Sequence, residues 1–324
     1  MSLPMTTPFF SIIVPTYDRP EALTACVQAI RQLDYPRDRF EVIIVDDGSP
    51  VPVKATGYHL QNDLTIRVLG QSNAGPASAR NVGAQHARGD MLAFTDDDCK
   101  PTTKWLRGLA RSANEAPTGL VGGKTVNGLD HNLYSTASQM IVDEAYAYFL
   151  SRDSDLRFFA SNNIAVSAKL FHKSGGFDPS FRTSEDRDFC DRWIRRGHPL
   201  VYAPEALVYH YHHLTLTAFC RQHFHYGRGA HRFHRVRAQR SGSRLKPDLQ
   251  FYASVGRRAF SAPLSRNSLR MAGLMGLWQA ANLAGFVWEG FYQTSPSSRD
   301  MHDEGSLRPK DARWKIDSRE GPQD

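Results

Sequence analysis

Two segments, FSIIVPTY at residues 10–17 and FEVIIV at residues 40–45, are continuous apolar runs rich in β-branched side chains, with none of the alternation of a strand that has one face in water. A strand apolar at nearly every position is buried on both faces, which requires a parallel sheet covered by helices. The segment between them, Glu21 to Leu33, reads as a helix opened by Pro20 at its first turn. Thr65–Leu69 and Met91–Thr95 supply two further strands, and Gly75–Ala87 an intervening helix started by Pro76. This order predicts an α/β fold with a doubly wound, mostly parallel central sheet flanked by helices, whose ligands gather beyond the carboxyl ends of the strands. Each of those ends is polar here: PTYDR, DDGS, SNAG and DDD.

Past Cys99 the alternation breaks down. TKWLRGLARSAN reads as a helix, GLVGGKTV as a short strand, 132–150 as a helix, 157–167 as a strand interrupted by two asparagines, and KLFHKSGGF as a short helix with a glycine stop. Ser184 is placed to cap a helix over SEDRDFCDRWIRRG, on which Phe189, Cys190, Trp193 and Ile194 share an apolar face. A strand at 200–209 and a basic helix from 215 to about 238 follow, although Gly227 and Gly229 would weaken that helix. The organisation expected is a unit over 8–213, with halves 8–100 and 101–213, then a basic and apolar helical region over 214–292 and a polar tail over 293–324.

Composition narrows the partners. With 324 residues, 41% hydrophobic and 23% charged, the chain has ample core. Its 40 Lys and Arg against 33 Asp and Glu give a formal charge of +7, which suits anionic partners. Cys26, Cys99, Cys190 and Cys220 form no CxxC pair, so neither a zinc site nor a disulfide framework is indicated. The first residues lack a secretory signal, and a reducing cytoplasm is expected. Met271–Trp288 carries no charge but is interrupted by Gln279 and Asn282, so a buried or interfacial helix is expected ahead of a membrane span. It follows the basic, aromatic segment FCRQHFHYGRGAHRFHRVRAQR, and together they suggest peripheral contact with an anionic membrane at the inner face of the cell membrane. No nucleic-acid motif accompanies the charge, so no nucleic acid is expected.

The stretch MLAFTDDDC ends an apolar strand on Asp96, Asp97 and Asp98. Three adjacent carboxylates repel one another unless a cation offsets them, although aspartate is also an ordinary turn residue. A second acidic loop, DDGS, follows the strand EVIIV. Neighbouring strand ends lie about 4.8 Å or a small multiple apart, so both loops should face one crevice. One can then bond a base and ribose while the other holds a divalent ion on a diphosphate.

The segments SIIVPTYDR, EVIIVDDGS, SNAGPASARNVGAQHARGDMLAFTDDD and TSEDRDFCDRWIRRG, in this order, resemble glycosyltransferase family 2 on a GT-A fold, over residues 10 to about 213. The resemblance implies an inverting, metal-dependent enzyme that moves a sugar from a nucleoside diphosphate, UDP being favoured, to the hydroxyl of a sugar or lipid-linked acceptor. It implies a nucleotide-sugar site of Pro15, Thr16, Tyr17, Arg19, Asp46, Asp47, Asn73, Arg80, Asp96 and Asp97, although Arg80 equally fits an ordinary helix surface. Asp98 and Asp96 match the metal motif, with Mn²⁺ or Mg²⁺ as the ion, and His210 and His212 are further candidate ligands or solvated loop residues. Asp186 matches the general base, with Glu185 and Asp188 in support, against the alternative that acids in a first helical turn only complement the helix dipole. Asn162, Asn163, Glu185 and Trp193 are expected on the acceptor side. A non-catalytic nucleotide-sugar or membrane-surface binding protein on the same fold is the rival reading, and it leaves the carboxylates without a use.

Overall fold

The strand β1 (Phe10–Thr16) and the strand β2 (Phe40–Asp46) are buried at every residue, as their unbroken apolar runs require. They pair in parallel from Phe10 opposite Phe40 to Thr16 opposite Asp46, so their polar ends emerge side by side. The computed structural model describes residues 7–53, 64–151, 156–242, 249–260 and 266–294. The helix α1 (Pro20–Arg31) leads into β2; the strand β3 (Ile66–Gly70) and the helix α2 (Pro76–Gln85) follow, and the strand β4 (Met91–Thr95) returns beside β1. Both helices carry proline at their first turn.

The second half is built differently. After the strand β5 (Cys99–Pro101) and the helix α3 (Trp105–Glu115) come the strand β6 (Leu120–Asn127), the helix α4 (Leu133–Leu150), the strand β7 (Asn163–Ser167) and the helices α5 (Ala168–Ser174) and α6 (Glu185–Arg195). The strand β8 (Leu200–His210) and the helices α7 (Leu216–Ser241), α8 (Leu249–Phe260) and α9 (Arg266–Thr294) complete the described chain. The sheet runs β3-β2-β1-β4-β7-β6-β8-β5. β7 is antiparallel to β4 and β6, and β5 to β8, so the sheet is mixed: parallel through β1–β4, where the sequence shows strand–helix alternation, and reversed where that alternation stops.

Successive residues of β1 serve opposite faces. Ile12 and Val14 pack with Leu23, Ile30 and Trp105 on one side, and Ile13 with Phe94, Phe171 and Phe189 on the other. Trp193 belongs to that second cluster, fully buried with its ring 5.6 Å from Phe189. It is therefore a core residue and not an acceptor contact: the apolar face of α6 turns toward the sheet. Ser184 precedes α6 with φ of 70°, and its side chain bonds no first-turn N–H, so it is no cap in the sense expected. The strand expected over 157–167 contracts to β7. Asn163 is inside, accepting from Trp105 Nε1 at 2.8 Å and donating to the carbonyls of Lys124 and Ala206 at 2.9 Å. Its amide is used up as a structural cross-link and faces no acceptor.

A third cluster joins α4, α7, α8 and α9 through Phe149, Phe219, Phe251, Val255 and Trp278. The glycines that seemed to weaken α7 are what let these helices meet. A Cβ on Gly227 would collide with the Asn282 carbonyl, and one on Gly285 with the Phe224 carbonyl, so α7 and α9 touch backbone to backbone. α7 also grips α6. Asp188 and Asp191, both buried, accept from Arg240 at 2.6 Å and Arg237 at 2.9 Å, and from Arg192 and Arg195 of their own helix. Asp188 is thus committed to packing and does not support Asp186. Met271–Trp288 lies within α9, with Leu274, Met275 and Trp278 buried and Leu283, Trp288 and Phe291 exposed. Among the described residues no helix is long and apolar enough to cross a membrane. The tail assigned to 293–324 lies outside the described residues except for the last two of α9.

Gly227→Val should push α7 from α9 at an overpacking cost of about 1–3 kcal/mol, visible in calorimetry as a fall in Tm of several degrees. Gly273→Ala, on the same helix pair but with nothing within reach of the new Cβ, should be neutral or slightly stabilising.

Candidate active site

The carboxyl ends of β1, β2 and β4 open into a cavity of about 820 Å³, closed on its far side by α4, α6, α7 and α9. β4 delivers the three aspartates, and each has its own partner. Asp96 accepts from Arg80 Nη2 at 2.6 Å. Asp97 accepts from Thr16 Oγ1 at 2.7 Å and from Arg19 Nη1 at 3.2 Å. Asp98 accepts from Arg19 Nη1 at 3.0 Å and lies 3.3 Å from His210 Nε2.

These partners divide the electrostatics. Burial pushes Asp97 up to about 6, despite the Thr16 bond and Arg19. Burial would also raise Asp98, but His210 and Arg19 hold it well below the usual carboxylate range. His210 reciprocates: burial lowers its proton affinity, and Asp98 raises it above the ordinary histidine value. His212 stacks on His210 with ring centroids 4.1 Å apart, and burial together with that neighbour pushes it down to about 3.

The short strand β5 makes this possible. It escapes a reading of the sequence because three residues show no periodicity, yet its pairing of Cys99 with His210 brings the end of β8 against the aspartates. Asp98, Cys99 and His210 offer ligand atoms within 4.8 Å of one another. Burial raises the Cys99 thiol well above its ordinary value. A carboxylate beside an imidazole fits a divalent cation.

α6 supplies the opposite wall. Its first residues are Glu185 and Asp186, and Arg80, only 3% exposed, reaches across from α2 to donate through Nη1 to Glu185 at 2.9 Å while Nη2 holds Asp96. Arg80 is therefore no surface residue: one guanidinium ties the two acidic groups of the cavity together. Burial and the neighbouring Asp186 push Glu185 up to about 7. Burial raises Asp186 as well, partly offset by Arg187, whose backbone N–H donates to Asp186 Oδ1 at 2.7 Å.

Pro15, Thr16, Tyr17, Arg19 and Asp47 all line the cavity. Asp47 accepts from the backbone N–H groups of Ala74 and Gly75 at 2.8 Å, and from Gln71 at 2.6 Å, holding the loop that precedes α2. Two residues expected beside them do not line the cavity. Asp46 is turned into the β2 loop, where it accepts from the N–H groups of Ser49 and Val53 at 2.9 Å, and Asn73 is exposed. On the far wall Asn162 lines the cavity and accepts from Thr125. His223 and Tyr226 of α7, which no sequence motif singles out, also line it. Their spacing of three puts them on one helix face, a signal hidden among the other aromatic and basic residues of that segment.

A GT-A-like mixed sheet whose strand-end acids face a second acidic cluster across one cavity defines a glycosyltransferase. The chain belongs to glycosyl transferase family 2: the profile of that family matches residues 11–177, and that of glycosyl transferase family group 2 matches residues 95–294. It is 26% identical over 218 residues to the glycosyltransferase AglE of Haloferax volcanii, covering 63% of this chain and 67% of that one. It is 29% identical over 226 residues to the pre-mycofactocin glycosyltransferase of Mycobacterium tuberculosis, covering 68% of this chain but only 46% of that one. The fold is similar to that of the mannosyltransferase PcManGT of Pyrobaculum calidifontis, solved with GDP-Man and Mn²⁺, with a TM-score of 0.62 at 18% identity over 90% of this chain and 89% of that one.

Arg80→Met should leave buried Glu185 and half-buried Asp96 without their shared cation and lower stability by about 3 kcal/mol in urea unfolding. Arg80→Lys, which keeps the charge but lacks the fork that reaches both acids, should fall between the two.

Proposed function

We propose that this glycosyltransferase transfers a sugar from a nucleoside-diphosphate sugar to an acceptor hydroxyl in a single inverting displacement that depends on a divalent cation. The observation that carries this reading is the Asp96–Arg80–Glu185 bridge, which fixes the strand-end aspartates and the start of α6 as facing walls of one cavity. Pro15, Thr16, Tyr17, Arg19 and Asp47 would cradle the nucleoside, and Asp96 the ribose. Asp98 and His210 would hold the cation, with Asp96 and His212 beside them. When bound, the cation offsets the negative charge that builds on the departing diphosphate. A mixed carboxylate and imidazole pair suits Mn²⁺ better than Mg²⁺.

Asp186 is the general base of this reading. It takes the proton of the acceptor hydroxyl as that oxygen bonds to the anomeric carbon and the bond from that carbon to the diphosphate oxygen breaks. Burial raises its proton affinity, which suits a base better than a free aspartate would. Arg80 positions Glu185 next to Asp186 at the start of α6. A binding protein on the same fold has no use for such a carboxylate. Peripheral membrane contact is supported by exposed Leu283, Trp288 and Phe291 on α9.

Thermal shift with UDP- and GDP-sugars and Mn²⁺, followed by assay of nucleoside diphosphate release, tests the reading. UDP is the nucleotide favoured by the sequence resemblance. Asp186→Asn should retain the nucleotide shift and lose about 100-fold or more in turnover; an unchanged rate would remove Asp186 as the base. EDTA should abolish release, and Mn²⁺ should restore it.

A further inference from the structure

The cavity continues past the acids on the side away from the strands. It extends between α4, α8 and α9, and none of the described residues these three helices contribute to it is charged. Ala145 and Phe149 come from α4, Phe251 from α8, and Trp278 and Phe286 from α9. Ser138 and Gln139 of α4 and Asn282 of α9 are the polar members of this lining, and the first two already bond Gln222 and Thr125. A polyhydroxylated ligand placed beside Phe149 and Phe251 would lose its water for few hydrogen bonds, so that end of the arm suits apolar matter.

His223 stands where the two parts of the cavity meet. Its ring lies 5.6 Å from that of Tyr226 and 6.4 Å from that of Trp278. Tyr226 lines the cavity together with Asp186 and Glu185. Trp278 belongs to the apolar arm. His223 is 1% exposed, and neither of its ring nitrogens has a hydrogen-bond partner among the described residues. Burial pushes it down to about 4, so at neutral pH it presents one N–H donor and one acceptor nitrogen. Buried polar atoms left unmet in a folded protein are costly, and these two border a cavity.

We propose that this arm receives the acceptor and that the acceptor is amphipathic: a hydroxyl-bearing polar end at Asp186, an uncharged oxygen or amide group bonded by His223, and an apolar body passing Trp278 toward Phe149 and Phe251. The inference rests on the glycosyl-transfer reading, because it needs a nucleophilic hydroxyl at Asp186. It goes further by fixing the chemical class of the acceptor and a specificity residue on α7.

The probes are butyl, hexyl and octyl β-glucopyranosides below their micellar concentrations, titrated calorimetrically into the full chain. Affinity should rise roughly tenfold for each added pair of methylenes. Ala145→Leu, which fills the arm, should cancel that rise while the nucleotide-induced thermal shift stays as in the wild type. His223→Phe should weaken all three glucosides by about tenfold, and His223→Gln, which keeps a donor and an acceptor, should recover part of the loss. Affinity that does not depend on chain length overturns the proposal. So does a chain-length dependence that survives Ala145→Leu, since the alkyl chain would then sit on the exposed face of α9. If the series behaves as expected but no UDP- or GDP-sugar shifts Tm or turns over, the glycosyl-transfer reading fails and the apolar site stands.

Discussion

The buried guanidinium of Arg80 is the interaction on which the rest of the site depends. It sits on α2, a crossover helix of the parallel half, and binds one acid from β4 and one from α6. Without it, two acidic groups would face each other in a poorly hydrated space, and mutual repulsion would open the cavity. With it, repulsion between the two halves of the chain becomes attraction through a shared cation, and the separation of the walls is set by the span of one planar side chain. The same compensation recurs on the other flank of α6, where Asp188 and Asp191 are clamped by arginines from α6 and α7. α6 is thus held by charge from two sides and by its aromatic face from the third, which leaves its first turn free to present Asp186.

That arrangement explains why the helices after residue 213 belong to the site. α7 contributes His223 and Tyr226 to the cavity and, through Arg237 and Arg240, fixes the helix that carries Asp186. α9 reaches the cavity only because Gly227 and Gly285 remove the side chains that would separate the two helix backbones. The C-terminal region therefore forms a wall of the cavity and not merely an appendage to an α/β domain.

The first hundred residues were highly legible because their physics is local. β1, β2 and β4 are runs that can be buried only in a sheet covered on both faces, and proline marks the start of each crossover helix. The acids at 96–98 and 185–186 stood out because adjacent like charges need a reason to be adjacent. What could not be read was set by tertiary partners. Trp193 and Asn163 look like ligand contacts in the sequence, but the direction in which α6 and β7 face puts them in the core. Asp46 and Asp47 are chemically equal neighbours, and only the course of the following turn decides that the first bonds that turn while the second meets the cavity. β5 is too short to have a pattern at all, and the glycines of α7 read as weakness until the helix against them is known.

The cavity's walls come from different stretches of the chain. The wall proposed to hold the nucleoside is formed within roughly the first hundred residues, and the apolar side by helices that begin at Leu133 and extend to α9. Substitutions in the apolar helices can therefore accumulate without disturbing the strand ends, and the two specificities of such a protein are free to diverge at separate rates. In a lineage of duplicated copies, the pocket between α4 and α9 would vary first while the aspartates of β4 stayed the same.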